Sequence, residues 1–287
     1  MWEVLVQPFA EFGFMRRALM GCIAISVGGT PVGVFLLLRR MSLTGDAMAH
    51  AILPGAAIGF LVAGFSLGAM TIGGLVAGMA VALLSGFVAR VTALREDASL
   101  AAFYLISLAI GVLIVSTRGS NVDLMHVLFG TVLALDNAAL ILLSSIASIT
   151  LIALALIFRL LVLECADPQF LRAVSGLSAV THFTFLALVV MNLVGGFHAL
   201  GTLMAVGIMI LPAAAARFWA TSIGGLIVAA VIIAIASSFC GLLISYYFGL
   251  PSGPAVILVA GVAYGRSLTV GPLGSLAASV VRHRINA

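Results

Sequence analysis

Residues 18–63, ALMGCIAISVGGTPVGVFLLLRRMSLTGDAMAHAILPGAAIGFLVA, decide the fold. Two apolar runs, 18–38 and 46–63, flank a short joint that holds Arg39 and Arg40. A hydrocarbon core asks for about 20 apolar residues per helix, and each run approaches that length. Two transmembrane helices joined at one membrane face are therefore expected. The rest of the 287-residue chain repeats the pattern, with 63% hydrophobic and 8% charged residues and a mean hydropathy of +1.32. That composition lies outside the soluble globular range. It excludes nucleic-acid binders, secreted disulfide scaffolds and disordered chains. All 13 basic residues are Arg. Without Lys the chain has neither a P-loop nor a Schiff-base nucleophile, so any energy that drives it comes from elsewhere.

Cutting the chain where charge, Pro or Gly clusters interrupt the apolar runs gives nine segments: 18–38, 46–63, 69–89, 100–116, 138–163, 177–194, 199–216, 223–247 and 252–267. The run 122–135 is too short to cross and reads as a re-entrant or surface helix. Residues 1–14, with Trp2, Leu5, Phe9 and Phe12 beside Glu3 and Glu11, predict a short interfacial helix. No basic stretch precedes the first apolar segment, so a cleaved signal peptide is not expected. Nine crossings with the N-terminus outside put Arg39, Arg40, Arg90, Arg95, Arg159, Arg172, Arg217, Arg266, Arg282 and Arg284 in the cytoplasm. Only Arg16, Arg17 and Arg118 stay outside, as the positive-inside rule prefers. An eight-span version needs one re-entrant segment, and the last span is the weakest of the nine. Gly55/Gly59, Gly74/Gly78 and Gly261/Gly265 have the small-residue spacing of close helix crossings. Cys22, Cys165 and Cys240 form no C-x-x-C pair and read as packing residues. The predicted fold is all-α: a polytopic transmembrane bundle of eight to nine spans, one domain over residues 1–287.

Ionisable side chains at membrane depth mark function by default. Asp46 and His50 stand at i and i+4, hence on one helix face. They read either as a buried pair that locks the helix or as half of a metal site. Two ligands are too few to hold a divalent ion tightly, and a two-fold homodimer doubles them to two Asp and two His. Pro54 frees the carbonyl of residue 50, and Pro212 does the same to that of Ile208. Two broken helices facing a shared cavity would suit a transport pathway, although kinks used only for packing read equally well. His182 reads as a packing or interfacial residue near the cytoplasmic start of the sixth span. His126 and His198 fall on the external side, where either could capture an incoming cation. Residues 167–176 predict a short cytoplasmic helix with Asp167 as N-cap, Pro168 at the first position and Gly176 as its stop.

The run LLLRRMSLTGDAMAHAILPGAAIGF at 36–60 resembles the diagnostic segment of the membrane permeases of bacterial zinc/manganese/iron ABC importers. The similarity continues through REDASLAAFYLISLAIGVLIVS, VDLMHVLFGTVLAL, DPQFLRAVSGL and ALGTLMAVGIMILPAAAARF, covering nearly the whole chain in order. The last of these departs from the family's usual Val-rich wording. The resemblance implies a multi-pass permease of the bacterial inner membrane that works as a homodimer with an ABC ATPase dimer and an extracytoplasmic metal-binding protein. It implies no permanently bound cofactor and no enzyme activity in this chain. Asp46 and His50 match the family's metal-holding positions. The 167–176 helix matches the one that docks into the ATPase, making Asp167, Phe170, Leu171 and Arg172 the contact candidates. Zinc is the expected cargo, with manganese or iron as alternatives. An ion-coupled secondary transporter using Asp46 as proton carrier is the rival reading, and an intramembrane protease built on Thr44-Gly45-Asp46 lacks a second Asp within a span.

Overall fold

The computed structural model describes residues 5–64, 66–117 and 135–273. Eleven helices follow one another among them: α1 Gln7–Glu11, α2 Gly13–Leu38, α3 Ser42–Ala63, α4 Leu67–Val91, α5 Glu96–Thr117, α6 Asn137–Ala166, α7 Pro168–Val174, α8 Leu177–Leu200, α9 Thr202–Ala216, α10 Ile223–Phe248 and α11 Ser252–Val270. Each predicted span coincides with one helix, most of them longer at one end or both than hydropathy alone suggested, because apolar runs end before the helical hydrogen bonds do. The 122–135 helix, His126 and Arg118 lie outside the described residues.

Helices α2, α6 and α8 form a central layer. Helices α3, α4 and α5 flank it on one side and α9, α10 and α11 on the other. Among the described residues, eight helices are long and apolar enough to cross a membrane. The short one is α9, not the final helix: its 15 residues rise about 22 Å against a hydrocarbon core of about 30 Å. It follows α8 after Gly201, whose φ of +86° suits glycine, and runs back along α2, where Thr30 and Gly33 meet Ile208 and Met209. The described residues thus hold eight helices of spanning length and one shorter apolar helix.

Two of the three glycine pairs are crossing points. A Cβ on Gly55 would run into the Gly73 carbonyl, and one on Gly78 would lie 2.8 Å from Val190. Gly261 and Gly265 face open space, so that pair joins no helices. Cys240 is likewise exposed rather than packed, while Cys22 is buried. Buried polar side chains tie the central layer together: Asn192 on α8 donates to Thr150 on α6 at 2.8 Å. The short N-terminal helix does more than lie on a surface, since Phe9 is buried and stacks on Phe239 of α10 with ring centroids 5.1 Å apart.

Candidate metal site

Helix α2 ends in a tight left-handed cap. The Met41 N–H donates to Leu36 O (2.8 Å) and the Arg40 N–H to Leu37 O (3.1 Å), with Arg40 at φ +59° where glycine is usual. This turn launches α3. Asp46 lies about 6 Å and His50 about 12 Å along its axis from Ser42.

The structure brings these two side chains together as the spacing requires. Asp46 Oδ1 lies 3.9 Å from His50 Nε2, an ion-pair separation longer than a hydrogen bond. Neither is buried: the Asp46 side chain is 67% exposed and that of His50 35%. The imidazole sits near the Tyr104 ring of α5, centroids 6.4 Å apart. Leu43, Asp46, His50, Leu53, Ala57 and Leu61 form one stripe that the chain leaves open or half-open. Met48, Ala51, Ile52 and Gly55 on the opposite side of α3 are buried. A locked Asp-His pair inside the bundle is therefore not what the fold builds. Among the described residues no group of three or more His, Cys, Asp or Glu side chains could hold a metal. One chain thus presents a single carboxylate and a single imidazole on an uncovered face.

The prolines sit in separate seams. Pro54 is buried against Gly111 of α5, and the Ser107 hydroxyl donates to Ala51 O (3.1 Å) in the same turn. At Pro212 the Ile208 carbonyl that the ring frees is taken up by the Thr30 hydroxyl at 3.4 Å. The described residues do not place the two prolines on one cavity.

The short helix expected at 167–176 forms as predicted at its start and not at its end. The Asp167 carboxylate accepts from the backbone N–H of Gln169 (3.0 Å) and Phe170 (2.9 Å), and Pro168 occupies the first turn. The helix stops at Ser175, and Gly176, at φ −64°, is instead the N-cap position of α8. Phe170 is 53% exposed, whereas Leu171 is buried against its own chain. The side chains of Arg172 and His198 lie outside the described residues.

Sequence reasoning missed a second constellation. Arg39 at the end of α2, Glu164 near the end of α6 and His182 at the start of α8 meet in the interior. Arg39 Nη2 lies 2.6 Å from His182 Nδ1 and 3.3 Å from Glu164 Oε1, with Glu164 only 4% exposed. The Arg39 guanidinium also rides over the Phe185 ring at 5.0 Å. His182 is thus a buried hydrogen-bond acceptor for Arg39, more than a packing residue, and Arg39 is more than a topology signal. The one available hint was an acid, Glu164, within the apolar run LLVLECA.

Known proteins resemble the chain along nearly its whole length. It is 29% identical over 95% of its residues to the manganese import system permease protein ScaB of Streptococcus gordonii, covering 96% of that protein. It is 30% identical over 91% of its residues to the manganese transport system membrane protein MntC of Listeria monocytogenes, covering 92% of it. Among solved structures, PsaBC from Streptococcus pneumoniae in complex with Fab superposes with a TM-score of 0.83 at 27% identity, covering 96% of this chain and 98% of that one. The sequence profile of the ABC 3 transport family matches residues 11–271.

Proposed function

Because the chain belongs to the ABC 3 transport family, we propose that it is the membrane permease of an ATP-driven importer of divalent transition-metal ions, and that its cargo is Mn²⁺. The observation that carries this reading is the uncovered Asp46–His50 pair. A carboxylate on a transmembrane helix is costly against lipid and belongs on a water-filled path or a partner surface. A second copy docking on the Leu43–Leu61 stripe supplies the missing two ligands, giving two carboxylates and two imidazoles around one ion. Carboxylate oxygens offset the loss of the ion's hydration shell, and neutral imidazoles add affinity.

Such a donor set accepts Zn²⁺ and Mn²⁺ alike, since sites of this kind select by geometry and availability. Chemistry alone therefore gave no reason for the sequence-based preference for zinc. Relatives that align end to end and are named for manganese tip the choice to Mn²⁺. ATP hydrolysis belongs to a separate ATPase dimer that engages the α7 face, and a binding protein delivers the ion from outside. Hydrolysis then switches which side of the paired site is open.

The test uses the chain reconstituted in vesicles with its ATPase and binding protein. Radioactive Mn²⁺ is expected to enter only with ATP and to stay outside when either Asp46→Ala or His50→Ala is present in an intact dimer. Full uptake by both variants would discard the site. Uptake driven by a proton gradient without ATP would install the secondary-transporter reading instead.

A further inference from the structure

Arg39, Glu164 and His182 come from three helices 125 and 143 positions apart in sequence from the shared arginine, yet all three sit at the same end of the bundle. Glu164 lies one helical turn before Asp167, which is both the last cap of α6 and the first cap of α7. Any displacement of α7 therefore acts on the end of α6 that carries Glu164. On the other side of the cluster, Arg39 is the cap of α2, and the strained turn at Arg40 follows it directly into α3. Asp46 is seven residues beyond Arg39.

We propose that Arg39, Glu164 and His182 form a charged joint through which movement of α7 is delivered to the turn at Arg40 and so to the helix carrying Asp46 and His50. The inference rests on the permease reading above. The three act as positioning residues and touch no cargo. Their physical advantage over an apolar contact is that they resist sliding. In a low-dielectric interior, pulling a carboxylate from a guanidinium leaves both charges uncompensated, whereas apolar surfaces slip past each other with little penalty. Arg39 Nη1 and Glu164 Oε2 are buried with no hydrogen-bond partner among the described residues, so the shared contacts run through single atoms, Arg39 Nη2 and Glu164 Oε1. Three helix ends are thereby pinned at one point, and the ring of Phe185 seats the arginine from below.

The decisive variant is Arg39→Met/Glu164→Met, which fills the space and strands neither charge, a replacement that buried ion pairs tolerate in stability. It is compared with Arg39→Lys, which keeps a cation about one bond short of the Nη2 nitrogen that makes both contacts. Each is reconstituted with the ATPase and binding protein, and melting temperature, ATP hydrolysis and Mn²⁺ transported per ATP are read. The Met/Met variant is expected to melt and hydrolyse ATP as the wild type does while the transport ratio falls roughly tenfold, the size of effect coupling residues show. Arg39→Lys is expected to keep most of the ratio. Should Met/Met not assemble, Glu164→Gln, which retains an acceptor for Arg39, is read in the same way. A folded Met/Met or Glu164→Gln variant with the wild-type ratio overturns the joint alone. A wild type that takes up no Mn²⁺ with ATP overturns the permease reading and the joint with it.

Discussion

Replacing Asp167 tests whether α7 is the surface that meets the ATPase. A seven-residue helix is too short to persist by its own hydrogen bonds, so its order depends on its caps and on the burial of Leu171. Asp167 supplies the larger local share by accepting two backbone N–H groups at 3.0 and 2.9 Å that the first turn otherwise leaves unpaired. Asp167→Ala removes both bonds at a cost of about 0.5–2 kcal/mol, typically ~1. That lowers the ratio of ordered to frayed α7 by roughly 5-fold at 1 kcal/mol and about 30-fold at 2 kcal/mol. Affinity for the ATPase is expected to fall with the ordered fraction, by up to the same factor, because only the ordered helix presents Phe170. Asp167→Asn caps about as well and should stay within a few-fold of wild type, short only of the dipole contribution of a charge. Detergent-solubilised permease titrated against the ATPase gives both numbers. Wild-type affinity in the alanine variant would show that the cap is immaterial to docking, and an asparagine variant as weak as alanine would show that the carboxylate itself touches the partner.

Phe170→Ala should weaken the same titration more than any other single change on α7 while leaving the melting temperature unchanged, since the ring is exposed. Gly55→Val forces a side chain into the Gly73 carbonyl and is expected to cost about 1–3 kcal/mol, read as a lowered melting temperature, whereas Gly261→Val should be silent because nothing lies near it. Thr30→Val removes the hydroxyl that satisfies the Ile208 carbonyl and should cost about 1 kcal/mol, with Thr30→Ser close to neutral by the same melt.

Local features were legible in the sequence because their causes are local. Apolar run length gave the spans, the i, i+4 spacing gave the Asp46–His50 face, and Asp167-Pro168 gave the start of α7. The errors share another origin. The stop at Ser175 instead of Gly176, the shortness of α9, and the inward turn of Leu171 depend on what neighbouring helices leave room for. Glycine spacing repeats at Gly55 and Gly261, yet only the first finds another backbone opposite it. The Arg39 cluster is the extreme case. Read along the chain, Arg39 is one of two arginines at a membrane boundary, Glu164 a lone acid among leucines, and His182 an isolated histidine. Charge rules assign each of them to the surface, and they are buried only because α2, α6 and α8 converge. The converse holds for Asp46. Its exposure would be an anomaly for a finished bundle, and it makes sense once the chain is taken as one half of a larger one. The buried Arg39–Glu164–His182 set and the open Asp46–His50 pair stand on the two sides of one turn, as the proposed joint requires. Arg40, the only described residue other than glycine with a positive φ, stands in that turn.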